Sequence, residues 1–271
     1  MLRRRQRRLE PHSAALETLE RAETALDDDD SRRALRLADD ALRIARSAGD
    51  DELCAVALLL SAEALRGLDR FADALARADE ACDLRDGDWA AHLERGMALY
   101  RLARFDEAAS AFDAAAQRDT GAAVAWHALG RCAVWQGDMR RAQSAFGRAA
   151  TLDPDEYVTP VRIAAAEFDR IAAAALRDVP ASFRAQLGNA FVVVEPLPDL
   201  DEVAAGFDPD TLGVYEGATA LDDEGGERIV LYQRNHETVC GSLGALKDEI
   251  RATILHEIGH HLGMDEGELP F

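Results

Sequence analysis

Three stretches of this chain, beginning at Val56, Ala90 and Val124, repeat one another at a spacing of 34 residues. When they are aligned, Ala62, Gly96 and Gly130 coincide. So do Ala74, Ala108 and Ala142, and likewise Ala81, Ala115 and Ala149. Phe112 and Phe146 also share a position, and the last copy ends in Leu152-Asp153-Pro154. A period of this length signals stacked copies of one small unit rather than a single closed core. Small residues recurring at fixed positions mark where two paired helices approach closely. One such pair cannot bury its apolar face alone, whereas stacked pairs share a continuous core. Upstream, Arg33-Ala34-Leu35 to Ala41 has the same character but lies six residues out of register. The sequence therefore predicts three regular repeats and one irregular N-terminal one.

Trp126-x-x-Leu129-Gly130 and Ala142-x-x-x-Phe146 carry a specific likeness. The segment resembles the tetratricopeptide repeat, most clearly over 90–121 and 124–155 and less so over 56–87. The resemblance implies an α-solenoid whose groove holds a polypeptide substrate or protein partner.

At 271 residues the chain is long enough for two domains. Its formal charge of −20 disfavours nucleic acid, which needs clustered cations. The exception is Arg3, Arg4, Arg5, Arg7 and Arg8, read as a solvated basic arm over 1–13. No apolar run reaches membrane-spanning length, and no apolar stretch follows the N-terminal charges to make a secretory signal. The four cysteines never form CxxC and are expected to be reduced. Together these features predict a cytoplasmic protein.

The periodicity stops after Pro154, which places the repeat domain at 14–157 and a second domain at 159–271. Thr159-Pro160 reads as an N-cap and first helical residue of a helix over 161–179, which Pro180 ends. A short helix to Leu187 stops at Gly188. Three strands follow, over 190–195, 212–216 and 228–234, with acidic loops at 199–210 and 222–227. A long helix from Leu243 to Leu262 carries Ile250, Ile254 and Ile258 as a core-facing stripe. The fold class is thus mainly α: an α-solenoid followed by a small α+β domain.

That last helix bears His256-Glu257-x-x-His260, followed by Gly263 and the acids Asp265, Glu266 and Glu268. Positions four apart share a helix face, so the two imidazoles can converge on one ion. Imidazole and carboxylate are ligands that zinc accepts at catalytic sites, and Glu257 stands where a base would act on a water. Glycine at 263 permits the reversal that returns a later residue to the metal. With eleven residues left after His260, the third ligand is expected close by. Glu266, six residues on, has the metzincin spacing and is the first choice, followed by Asp265 and Glu268. His261 points about 100° away from His260 and is a neighbour rather than a ligand.

From about residue 163 onward the chain resembles the small bacterial zincin-like metallopeptidases. The likeness rests on Phe168, Asn189, Val192-Val193-Val194, Pro196, 212–217, 228–232 and the 256–266 motif. It implies a minimal zincin domain holding Zn2+ through His256, His260 and Glu266. The implied activity is that of an endopeptidase in which Glu257 is the base for a zinc-activated water. An extended substrate is expected along an edge strand formed by Leu212, Gly213, Val214 and Tyr215. Tyr215, Tyr232 and His261 are candidates for stabilising the oxyanion. The competing reading is a repeat-based adaptor or chaperone-like protein whose zinc is structural or vestigial.

Overall fold

The computed structural model describes residues 2–180, 191–217 and 228–261, with side chains from Pro11 to His260 within those ranges. The chain divides into two compact units, Met1–Leu152 and Asp153–Phe271.

The first unit is a succession of eight helices: α1 (Leu2–Asp27), α2 (Ser31–Ala48), α3 (Asp51–Arg66), α4 (Phe71–Leu84), α5 (Trp89–Arg101), α6 (Phe105–Arg118), α7 (Ala123–Trp135) and α8 (Met139–Leu152). The expected basic arm has a helical backbone from Leu2 onward and forms the start of α1. Within each pair the chain reverses through one left-handed residue: Asp29, Asp69, Ala103 and Gly137, with φ between 56° and 73°. The last three are 34 residues apart, and Asp29 precedes Asp69 by 40. The six-residue offset seen in the sequence is therefore a real lengthening, to which α2 contributes with 18 residues where α4, α6 and α8 have 14, and α3 with 16 where α5 and α7 have 13. At each reversal the next amide bonds back to the helix, as Arg70 N to Leu65 O and Arg104 N to Leu99 O do, both at 2.9 Å. This is a Schellman-type stop, which satisfies the carbonyls that a helix end leaves over.

The repeated small residues lie where the helices touch. Ala74, Ala81, Ala108, Ala115, Ala142 and Ala149 are all fully buried. Gly96 faces the Phe112 ring so closely that an added Cβ would stand 2.5 Å from it, and Gly130 faces Phe146 in the same way at 2.7 Å. In the preceding repeat both partners are small, Ala62 and Ala78, and both are buried. The glycine and the phenylalanine thus form one size-matched pair. Gly96→Ala and Gly130→Ala are each expected to destabilise this unit by about 1–3 kcal/mol through overpacking. Urea unfolding of the single variants checks this, and unchanged midpoints would contradict the pairing.

The second unit contains α9 (Ala165–Asp178), β1 (Phe191–Glu195), α10 (Leu200–Ala204), β2 (Gly213–Glu216), β3 (Arg228–Tyr232), α11 (Gln233–Val239) and α12 (Leu243–His261). The strands form a sheet in the order β1-β3-β2, with β1 parallel and β2 antiparallel to β3. Phe168 and Ala172 of α9, Ile229 and Leu231 of β3, and Leu246, Ile250, Ile254 and Ile258 of α12 make one core. Val230 and Tyr232, on the opposite face of β3, are buried as well. Burial on both faces explains why this strand reads as an unbroken apolar run.

Three expectations change. The helix after Thr159-Pro160 begins at Ala165, because 161–163 is drawn into other bonds. Val161 N donates to Cys240 O, Ile163 N to the Glu237 carboxylate, and Gln233 Nε2 to Ile163 O. The third strand ends at Tyr232, and Gln233 and Arg234 open α11 instead. The acidic stretch 199–210 contains α10, capped by Asp199, whose carboxylate accepts from Asp201 N and Glu202 N. The expected helix to Leu187 and the loop 222–227 lie outside the described residues.

Candidate metal centre

The Ile250, Ile254 and Ile258 stripe is fully buried, and this fixes the rotation of α12. His256 and Glu257 are left half-buried and His260 exposed. Four-residue spacing then brings the two imidazoles together, with Nε2 of His256 and Nε2 of His260 2.8 Å apart. Two ring nitrogens converging from one helix face are a suitable pair of donors for zinc. A tetrahedral ion with bonds of about 2.05 Å holds its ligand atoms about 3.3 Å apart, so small ring rotations suffice. Among the described residues no third ligating side chain joins this pair. Asp265, Glu266 and Glu268 lie outside those residues, as does the side chain of His261.

Glu257 turns toward the sheet, where its Oε2 accepts the backbone N–H of Tyr215 at 3.0 Å. Burial raises the pKa of this carboxyl, opposed by the Tyr215 bond and by His256 and His260. Glu257 and His256 line a cleft of about 380 Å³. Its other walls are Thr211, Leu212 and Gly213 at the start of β2, and Glu249, Ala252 and Thr253 on α12. Of the four residues expected to face a substrate, Leu212 and Gly213 line the cleft and Tyr215 bonds Glu257. Val214 pairs with Val230 inside the sheet. Gly213 permits the close fit: a Cβ there would stand 2.8 Å from Thr253 Cγ2 and 3.0 Å from Val230 O. Tyr232 is buried against Phe207, and its hydroxyl pKa is pushed up to about 12 by burial.

Sequence reasoning missed the residues of α11 that hold this cleft. Asn235 Nδ2 donates to Pro209 O and Thr211 O, which fixes the approach to β2. His236 is fully buried between Tyr232 O, 3.0 Å from Nδ1, and Thr253 Oγ1, 3.1 Å from Nε2. A carbonyl only accepts, so Nδ1 carries the proton, while Thr253 Oγ1, which donates to Glu249 O at 3.0 Å, lies beside Nε2. A polar run, Gln233-Arg234-Asn235-His236-Glu237-Thr238, gives no periodic apolar signal, yet most of it is buried.

Burial lowers the His236 pKa from 6.5 to about 4. As the pH falls below 6.5 the unfolded chain takes up a proton that the folded chain refuses, so stability drops through this window. The loss at pH 5 is expected to be about 2 kcal/mol. Urea midpoints at pH 7 and pH 5 measure it, and His236→Gln should flatten the difference. A midpoint as pH-sensitive in the variant as in the wild type would contradict the assignment.

No curated protein matches the chain. Among solved structures it is similar to YrrB, described as a tetratricopeptide-repeat protein with an unusual peptide-binding site (22% identity, 54% of this chain and 90% of that one, TM-score 0.36). It is also similar to MamA from Desulfovibrio magneticus RS-1 (18% identity, 64% of this chain and 90% of that one, TM-score 0.44). A third is a thermophilic tetratricopeptide-repeat protein of Thermus thermophilus (16% identity, 53% of this chain and 93% of that one, TM-score 0.36). Among the described residues no helix is long and apolar enough to cross a membrane. Residues 99–159 match the family model for the tetratricopeptide repeat, and residues 187–270 match that of the zincin-like metallopeptidase. The chain therefore joins repeats that match the tetratricopeptide repeat, a module of protein interaction, to a segment that is similar to the zincin-like metallopeptidases.

Proposed function

We propose that this protein is a zinc-dependent endopeptidase whose repeats recruit its polypeptide substrate or a protein partner. The observation that carries the reading is the His256–His260 convergence with Glu257 alongside, in a cleft bounded by an edge strand. A carboxylate one residue from a zinc ligand and lining the cleft stands where a hydrolytic site needs a base, which favours catalysis over the adaptor reading.

In this proposal His256, His260 and Glu266 hold the zinc. When bound, zinc supplies Lewis-acid polarisation of a peptide carbonyl and of a water. The chain's own residues do the rest. Glu257 takes a proton from the water onto a carboxylate oxygen and delivers it to the departing amine nitrogen. Burial, which raises its pKa, suits a group that must hold that proton between the two steps. Gly213 and Tyr215 present a strand edge along which an extended peptide can lie, and Leu212 lines the cleft beside it. The test is cleavage of a mixed peptide pool by the zinc-loaded chain and by Glu257→Gln, with new termini read by mass spectrometry. Absence of new termini with the wild type would overturn the proposal.

A further inference from the structure

The pairing of β2 reveals what its outer side offers. Tyr232 N donates to Leu212 O at 2.8 Å, and the register continues as Gly213 opposite Leu231, Val214 opposite Val230 and Tyr215 opposite Ile229. In an antiparallel pair, alternate residues turn their backbone groups to the partner strand and the others turn them away. Leu212, Val214 and Glu216 therefore face β3, while Gly213 and Tyr215 face outward. Among the described residues β2 is an edge strand, so this outward side is where another chain would add. The Tyr215 N–H on that side is taken by Glu257 Oε2, from a helix 42 residues further along the chain.

We infer that Glu257 occupies the place of a peptide carbonyl on the outer edge of β2, so that a docking peptide takes over the Tyr215 N–H and frees the carboxylate. The meaning of that release rests on the proposed peptidase function; the contact and its displacement do not. Gly213 and Tyr215 are two residues apart on one edge, the spacing at which an extended strand bonds to its neighbour. Gly213 lines the same cleft as Glu257 and lets β2 approach α12 closely enough for the carboxylate to reach. One acceptor replaces another on the Tyr215 amide. While the carboxylate holds the Tyr215 N–H the base is tied to the strand, and with a peptide paired there it turns to the water. The edge is thereby covered until it is used, and the base is released only beside a bound backbone.

The test uses the full-length chain without zinc, so that it reports on the contact and not on metal-dependent activity. Amide hydrogen exchange is followed residue by residue in wild type and Glu257→Ala. The Tyr215 amide should exchange about tenfold or more faster in the variant, the factor of one charge-assisted hydrogen bond. Val214 and Glu216, which bond to β3, should keep their protection in both proteins. A pool of blocked random hexapeptides, titrated against the Gly213 and Tyr215 amides, should bind Glu257→Ala with a Kd about tenfold lower, since no carboxylate has to leave. Unchanged Tyr215 exchange overturns the inference. So does equal or weaker peptide affinity in the variant, or no peptide binding to either protein. Loss of protection at Val214 and Glu216 as well would make the bond a structural support of β2 and also overturn it. Failure to take up zinc would instead sink the peptidase reading and leave these results standing.

Discussion

Glu257→Gln is expected to lower peptide hydrolysis by about a thousandfold while zinc stays bound. The amide keeps the shape of the side chain, and its oxygen can still accept the Tyr215 N–H. It cannot take a proton from water or return one to an amine nitrogen. Both transfers in the proposed reaction pass through this one carboxylate, and positioned acid–base groups contribute about 10²–10⁴ in rate. The effect should fall on kcat, because the cleft walls at Leu212 and Gly213 are untouched. Steady-state kinetics on a peptide found by the pool experiment would check this. A variant retaining more than about a tenth of the wild-type rate would show that Glu257 is not the base.

The second large effect is structural. Glu237→Gln should destabilise the second unit by about 3 kcal/mol. Glu237 is fully buried and accepts from four donors: Arg162 Nη1, Arg234 Nη1, Gln233 Nε2 and Ile163 N, at 2.7–3.1 Å. Burial alone would raise its pKa, but these bonds, led by Arg162, outweigh it and hold the carboxyl below its ordinary value. The amide would turn donor against donor and leave two guanidinium groups without their anion. Because Glu237 ties 161–163 to α11, its loss should also loosen Asn235 and His236, and with them the cleft wall. Urea unfolding gives the number. A loss below about 1 kcal/mol would mean that the network is worth no more than an exposed ion pair.

How much of this was legible in the sequence depended on the kind of signal each element carries. The repeats declared themselves because a buried helix–helix contact must be remade every 34 residues, so Gly96 and Gly130 recur opposite Phe112 and Phe146. The Ile250, Ile254 and Ile258 stripe fixed the face of α12, and with it the His256–His260 pair. α11 stayed hidden because its residues are buried through hydrogen bonds rather than apolar contact, and periodicity reads only the latter. The start of α9 was misplaced for the same reason: Ile163 gives its amide to a side chain 74 residues away, which no local rule detects. The edge strand at 212–215 was expected, but the bond from its Tyr215 amide to Glu257 depends on how β2 and α12 meet in space, which the linear pattern does not contain.

The most direct test of the central claim is zinc content by elemental analysis of the purified full-length chain, alongside His260→Ala and Glu266→Ala. The account predicts about one zinc per chain in the wild type, with the two Nε2 donors and one carboxylate each needed to keep it. Loss in both variants would support His260 and Glu266 as ligands. A wild-type chain purified without chelator that carries no zinc, and takes up none when it is added, would contradict the account.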